Sequence, residues 1–232
     1  MEIRQFRYAT DNLGYLVYGD QTAMAIDGGA FNEMLAFVSD NGLFLQYIAN
    51  PHSHMDHTVG NQPLLERTDA RLLDTETLTK AGGLEIDGTS VHVYPTPGHT
   101  LDSICFYFDD VLVSGDTLFN GKVGKCFTGD YEQFLASVKT LLKLPDATMV
   151  YAWHDYVEEY ISFIRALEPD NAHIDEYAAA YDPNHVGFPL GRERQVDPFL
   201  RFNDEKIIAI LAEKGLPTDT EIDRWRSLMS LM

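Results

Sequence analysis

Two cysteines in 232 residues, Cys105 and Cys126, are too few for a disulfide framework. Both stand in apolar or aromatic surroundings, where a thiol packs as a small hydrophobe, and a reducing cytoplasm is the expected compartment. No run approaches the ~18 uninterrupted apolar residues that a membrane helix requires. The opening "MEIRQFRYATDN" lacks a basic start followed by an apolar stretch, so a secretory signal is not expected either. Cationic side chains are scarce: 17 Lys and Arg against 36 Asp and Glu leave a formal net charge of −19. That excludes a nucleic-acid partner, which needs a basic footprint to displace phosphate counterions. An anionic small molecule asks only for a local basic pocket, because the Debye length at physiological salt is about 8 Å. What remains, 45% hydrophobic and 23% charged, is an ordinary globular composition without repeats or low-complexity segments.

Strand signals fill the first two-thirds. "LGYLVYG" and "TAMAIDGG", separated by "DQ", read as a hairpin, and "LFLQYIAN" as a buried strand leading into "PHSHMDHTVGN". "TSVHVYPTPGHT" is a strand ending in a Pro-Gly turn at His99. "SICFYF" and "VLVSGD", joined by "DD", form a second hairpin that delivers Asp116 at a strand end. In "DYEQFLASVKTLLKLP", Phe134, Val138, Leu141 and Leu142 line one helix face behind an Asp130 N-cap. "TMVYAWHD" is a further strand ending at His154, and "YVEEYISFIRALEP" a helix stopped by Pro169. Beyond it "NAHIDEYAAAY", "DEKIIAILAEKGLP" and "TEIDRWRSLMSLM" look helical, with "DPNHVGFPLGRER" as connection. The expected class is α/β, a β-rich domain over residues 1–165 followed by a small helical domain over 166–232.

His52, His54, Asp56 and His57 crowd into six positions just after an apolar strand. In extended backbone, residues two apart point the same way, so His52 and His54 can grip one cation. Asp56 and His57 diverge, which suits a second. Imidazole and carboxylate donors suit zinc, or iron or manganese. His99, Asp116 and His154 each close a strand, and strands of one sheet can bring their ends to one edge. His99 then completes a three-histidine site with His52 and His54. His154 joins Asp56 and His57, Asp116 bridges, and a shared water fills the open positions. A solvated histidine-rich loop is the plainer alternative, and the position between an apolar strand and a Gly-Asn turn speaks against it. Taken singly, His99 and His154 read at least as readily as structural histidines as ligands, and Asp116 as a helix or turn cap; the cluster is what raises them. His92, His173 and His185 read as ordinary structural or surface residues.

"HSHMDH", "PGHT", "SGDTLF" and "WHDY", in that order and spacing, resemble the metallo-β-lactamase fold superfamily. "GDTLFNGKVGKCFTGDYEQF", "LPDATMVYAWHDY", "ALEPDN" and "DPFLRFND" extend the similarity towards glyoxalase II, the hydroxyacylglutathione hydrolases, across nearly the whole chain. The resemblance implies an αββα sandwich with a small C-terminal helical domain. It implies His52, His54 and His99 on a first metal, Asp56, His57 and His154 on a second, and Asp116 between them, the same assignment as the spacing. It also implies glutathione contacts at Lys125 and Tyr156. Phe127 stands where the family often has a tyrosine, so only packing remains there. The family's basic residues near the C-terminus map to Arg224 and Arg226, although its usual lysine-aspartate pair is absent. Pro51 replaces the threonine that usually opens the metal motif.

Two neighbouring cations would lower the pKa of a shared water towards neutrality, and Asp56 and Asp116 would hold the resulting bridging hydroxide in place. A thioester suits such a site, because a leaving thiolate with a pKa of about 8.5 needs no strong protein acid. No serine or cysteine stands out as a nucleophile. The expected activity is hydrolysis of an S-2-hydroxyacylglutathione such as S-D-lactoylglutathione, by a monomer or weak homo-oligomer. Lys122, Arg201 and Lys206 are further cations that could face an anionic substrate. The alternatives are a thioesterase for another carrier thiol, a lactonase or β-lactamase, a mononuclear iron persulfide dioxygenase using two histidines and one aspartate, and a non-catalytic metal-stabilised binding protein.

Overall fold

The computed structural model describes residues 1–232. Three strands open the chain as an antiparallel meander: β1 (Glu2–Arg7), β2 (Leu13–Tyr18) and β3 (Thr22–Ile26). Helix α1 (Phe31–Asp40) then crosses over, so that β4 (Phe44–Ala49) runs parallel to β3. Short helices α2 (Met55–Thr58) and α3 (Asn61–Leu65) precede β5 (Arg71–Leu73), which lies parallel to β4 and completes a five-stranded sheet. After α4 (Thr75–Ala81) come β6 (Gly83–Ile86), β7 (Thr89–Pro95), β8 (Ile104–Phe108) and β9 (Val111–Gly115), all antiparallel. A small ribbon, β10 (Leu118–Phe119) and β11 (Lys122–Val123), and helix α5 (Tyr131–Leu141) lead to β12 (Met149–Ala152), parallel to β9. Then follow α6 (Val157–Leu167), α7 (His173–Ala180), β13 (Phe188–Pro189), α8 (Leu190–Val196), α9 (Glu205–Glu213) and α10 (Glu221–Met229). The second sheet has the order β13-β12-β9-β8-β7-β6.

Period-two alternation sorts the side chains into layers. From β2, Leu13, Tyr15 and Val17 enter the core between the sheets, while Leu16 turns outward beneath α1. From β8, Ile104, Phe106 and Phe108 meet them from the second sheet, while Cys105 faces the opposite helical layer. Both sheets are covered on both faces, which is why β2 and β8 read as continuous apolar runs. Met34 and Val38 of α1 and Leu64 of α3 close one outer layer. Phe134, Val138 and Leu141 of α5, with Ile207, Leu211, Trp225 and Leu228, close the other. The αββα sandwich is therefore complete. Each fully buried Leu, Phe or Met contributes roughly 1.5–3 kcal/mol.

The β8–β9 turn uses Asp109 and Asp110 at φ 41° and 60°, a left-handed pair that Asp tolerates better than most residues. Asp130 caps α5 as expected, accepting from the Gln133 backbone N–H. One connection differs from expectation. "DPNHVGFPLGRER" holds strand β13 and helix α8, and β13 pairs with β12, so the tail returns to the main sheet before its last two helices form.

Candidate metal centre

The ends of strands from both sheets meet at one edge. Ile26 of β3 pairs with Ala49 of the parallel β4, so Asp27 and Asn50 leave their strands side by side, with the histidine stretch following. From the second sheet, β7 runs on to His99, β9 ends before Asp116, and β12 ends before Trp153 and His154. The backbone N–H of Ile104 donates to the Pro51 carbonyl at 2.8 Å and ties the two edges together.

At the centre, Nε2 of His52 lies 2.9 Å from Nδ1 of His54, and Nε2 of His99 lies 3.3 Å from the same atom. Asp116 spans two groups of donors: Oδ2 is 3.3 Å from Nε2 of His99, and Oδ1 is 3.5 Å from Nε2 of His57. Two triads emerge with mutually close ligand atoms, His52–His54–His99 and His52–His57–Asp116. Nδ1 of His52, Nε2 of His57 and Oδ1 of Asp116 are buried without a hydrogen-bond partner. Orphaned buried donors and acceptors are rare in folded proteins. Three of them on one pair of triads fit divalent metal ions, which imidazole and carboxylate bind readily.

Supporting contacts aim the ligands. His99 donates from Nδ1 to the Lys125 carbonyl at 2.9 Å, leaving Nε2 bare. His57 pairs through Nδ1 with Asp27 Oδ2 at 2.9 Å, and Asn50 donates to the other Asp27 oxygen. His154 pairs through Nδ1 with Asp11 Oδ2 at 3.0 Å. A hydrogen bond on one ring nitrogen selects the tautomer that presents the other. Trp153 stacks on His57 with ring centroids 3.5 Å apart.

Charge within the centre is strongly organised. Burial works against a charge on His57, yet Asp27 and Asp116 on its two nitrogens overcome it and hold the imidazole up at about 10. Burial, reinforced by the His57 charge, drives His52 down to about 2. Burial would raise Asp116, but the charge of His57, 3.5 Å away, holds it down at about 2.

Asp56, His154, Lys125, Phe127 and Tyr156 line a shared cavity of about 500 Å³ together with His54, His99 and Asp116. Asp56 reaches its rim with an exposed side chain, and Tyr8 donates to the Asp56 backbone carbonyl at 3.1 Å. His154 also lines the cavity, but neither it nor Asp56 belongs to the tight triads; His52 takes the place beside His57 and Asp116. Lys125, Phe127 and Tyr156 all face the space. Phe127 packs edge-on against His54 and His99, its Cys126 neighbour lies in the wall, and the Lys125 ammonium sits 5.1 Å from the Phe127 ring centroid. Tyr156 stacks on His154 at 4.4 Å, and burial and Asp11 push its phenol up, so it stays protonated.

Arg224 and Arg226 are not brought to the cavity, contrary to expectation. Arg224 is held by Asn203 and the Thr218 carbonyl, and Arg226 pairs with Glu132 at 3.4 Å. The C-terminal helix contributes Met229 to the wall instead, and the cations present are Lys122 and Lys125. Asp27, Asp11, Asn50 and Trp153 were not among the residues expected from the sequence. Asp27 carried a faint signal, an acid at a strand end before Gly-Gly, as Asp116 is an acid after "SG".

Comparison with known proteins agrees with this architecture. Residues 71–154 match the metallo-beta-lactamase superfamily, and residues 155–229 match the hydroxyacylglutathione hydrolase C-terminus. A hydroxyacylglutathione hydrolase of Chromohalobacter salexigens is 34% identical over 229 residues, covering 90% of each chain. One of Idiomarina loihiensis is 34% identical over 199 residues, covering 79% of each. Among solved structures, ETHE1 from Myxococcus xanthus superposes with a TM-score of 0.67 at 24% identity, over 98% of this chain and all of that one, a likeness of fold.

Proposed function

As this chain belongs to the hydroxyacylglutathione hydrolase family, with a metallo-β-lactamase fold, we propose that it hydrolyses S-2-hydroxyacylglutathione, S-D-lactoylglutathione above all, to glutathione and the 2-hydroxy acid. The observation that supports this best is the pair of triads sharing one cavity with unpaired cationic side chains. His52, His54 and His99 would hold one divalent ion. His57 and Asp116 would hold a second, with Asp56 and His154 closing on it from the cavity wall. Zinc is our assignment for both, from the donor set. Bound there, the ions would supply an activated water and neutralise charge developing on the thioester carbonyl oxygen.

The protein's own groups do the rest. Asp116 lies between the histidine groups with one oxygen towards each. Asp27, Asp11 and the Lys125 carbonyl keep the imidazoles of His57, His154 and His99 in the ligand tautomer. Phe127 and Phe119 shield the reacting carbonyl from bulk water, and Lys125 attracts an anionic carrier thiol. The thiolate leaves without a protein acid, since its pKa is about 8.5. The thiols of Cys105 and Cys126 are free, as a reducing cytoplasm keeps them, and we place the protein there. No helix is long and apolar enough to cross a membrane.

The test is an anaerobic assay of metal-loaded protein with S-D-lactoylglutathione. Stoichiometric release of free thiol without oxygen is the expected outcome. No thiol release there, with oxygen uptake and sulfite formation from glutathione persulfide in a parallel aerobic assay, would replace hydrolysis with dioxygenation.

A further inference from the structure

Two lysines outside the cavity find carboxylates, Lys80 with Glu76 and Lys139 with Glu221. The cavity's two lysines do not. Lys122 and Lys125 are its only Lys or Arg side chains, and neither ammonium makes an ion pair or hydrogen bond within the protein. Lys122 is the less expected of the two. It is partly buried, with its ammonium 4.3 Å from the Tyr160 ring centroid and 5.9 Å from that of Phe163. Burial lowers the pKa of this ammonium, while the more distant Glu159 and Asp197 partly offset that. A desolvated cation held on aromatic faces and lacking a counter-ion is prepared for an anion from outside.

The position is also rigidly built. Lys122 follows the β10–β11 turn, where Gly121 takes φ +90°. Glu193 of α8, fully buried, grips that turn from the far side. Its Oε1 accepts from the Asn120 side-chain amide and from the Tyr177 hydroxyl, both at 2.8 Å, and its Oε2 accepts from the Gly121 backbone N–H at 2.7 Å. Three donors on one buried carboxylate pin the backbone that carries Lys122.

We propose that Lys122 is a second anion subsite of the cavity, taking one carboxylate of a dicarboxylate carrier thiol while Lys125 takes the other, with Glu193 as the positioning residue that sets the Lys122 backbone. This rests on the thioester-hydrolase reading above. A carrier bearing no charge leaves Lys122 unpaired, so the subsite favours glutathione thioesters over those of neutral thiols.

The test compares kcat/KM for S-D-lactoylglutathione with that for S-lactoyl-N-acetylcysteamine, whose carrier is uncharged. Lys122→Met is expected to lower the ratio of the two roughly tenfold, as losing one charged contact does, and mainly through KM. Lys122→Arg restores most of the ratio. Glu193→Gln lowers it in the same direction without touching substrate. Lys143→Met, an equal charge change at an exposed site outside the cavity, keeps the wild-type ratio. An unaltered ratio in Lys122→Met, or KM raised alike for both substrates, overturns the subsite. Should the wild type hydrolyse neither thioester, the proposed reaction falls and the subsite is judged by calorimetry with S-methylglutathione. Weaker binding to Lys122→Met than to wild type supports it, and equal binding overturns it.

Discussion

At the scale of single residues, His57 is the pivot. Its imidazole is held up at about 10 in the metal-free protein, against burial, by Asp27 on one nitrogen and Asp116 on the other. The raised value means that the proton stabilises the metal-free fold fully below the ordinary histidine range, and that this stabilisation is lost as pH rises through about 10. A metal ion must displace that proton. Affinity of the stripped protein for Zn²⁺ is therefore expected to rise with pH, by about tenfold per unit for each proton released. Competition against a chelator at pH 6, 7 and 8 measures it; a flat profile would show that no proton is displaced. Gly124 offers a second residue-scale check. A Cβ there would lie 1.8 Å from the Asp116 carbonyl oxygen and 3.5 Å from Nδ1 of His99. Gly124→Ala is expected to push Asp116 off position and to lower bound metal, read by elemental analysis of folded protein. The candidate metal ligands stood out in the sequence because histidine and aspartate announce their chemistry wherever they stand. Asp27 and Asp11 were not, since a carboxylate that orients an imidazole is recognisable only once the fold has set the two side by side.

At the scale of elements, strands declared themselves where both faces were apolar, as in β2 and β8, and α5 where its face and its Asp130 cap coincided. Helix α8 did not. It spans only Leu190–Val196, follows Pro189 and contains Gly191, so local signals favoured a turn. Tertiary contacts outweigh them: Leu190 and Val196 are buried in the two cores, and Glu193 is satisfied by three donors from β10–β11 and α7. This element should be pH-sensitive. Burial lifts Glu193 to about 7, and burial together with Glu193 lifts Asp197 well above the usual carboxylate range. Carboxyl groups raised in this way stabilise the fold fully below their unfolded pKa, about 4.3 for Glu, and lose that contribution as pH rises through the folded value. The melting temperature of metal-loaded protein is expected to fall between pH 5 and pH 8, and Glu193→Gln is expected to flatten the fall. A steeper fall in the variant would contradict the assignment.

At the scale of the whole molecule, the αββα sandwich was legible from alternation and resemblance, but the way the tail joins it was not. Trp225 of α10 is fully buried, with Phe134 of α5, Phe199 and Phe202 around it at centroid distances of 5.9, 6.1 and 5.8 Å. Contacts of that kind depend on chain segments far apart in sequence. Arg224 and Arg226 were misplaced for the same reason: burying Trp225 turns both neighbours away from the cavity. Trp225→Ala is expected to cost about 3–5 kcal/mol in denaturant unfolding, as large-to-small changes in a packed core do. It is also expected to weaken turnover, because Met229 of the same helix walls the cavity.

The central claim, that the strand-end histidines and Asp116 hold the ions on which hydrolysis depends, is tested most directly by stripping the protein of metal and adding Zn²⁺ back. Bound zinc and S-D-lactoylglutathione hydrolysis would be followed on the same samples. The expected result is no turnover in the stripped protein and a rise to full rate as occupancy approaches two ions per chain. Full hydrolysis without metal, or two bound ions without hydrolysis, would contradict it.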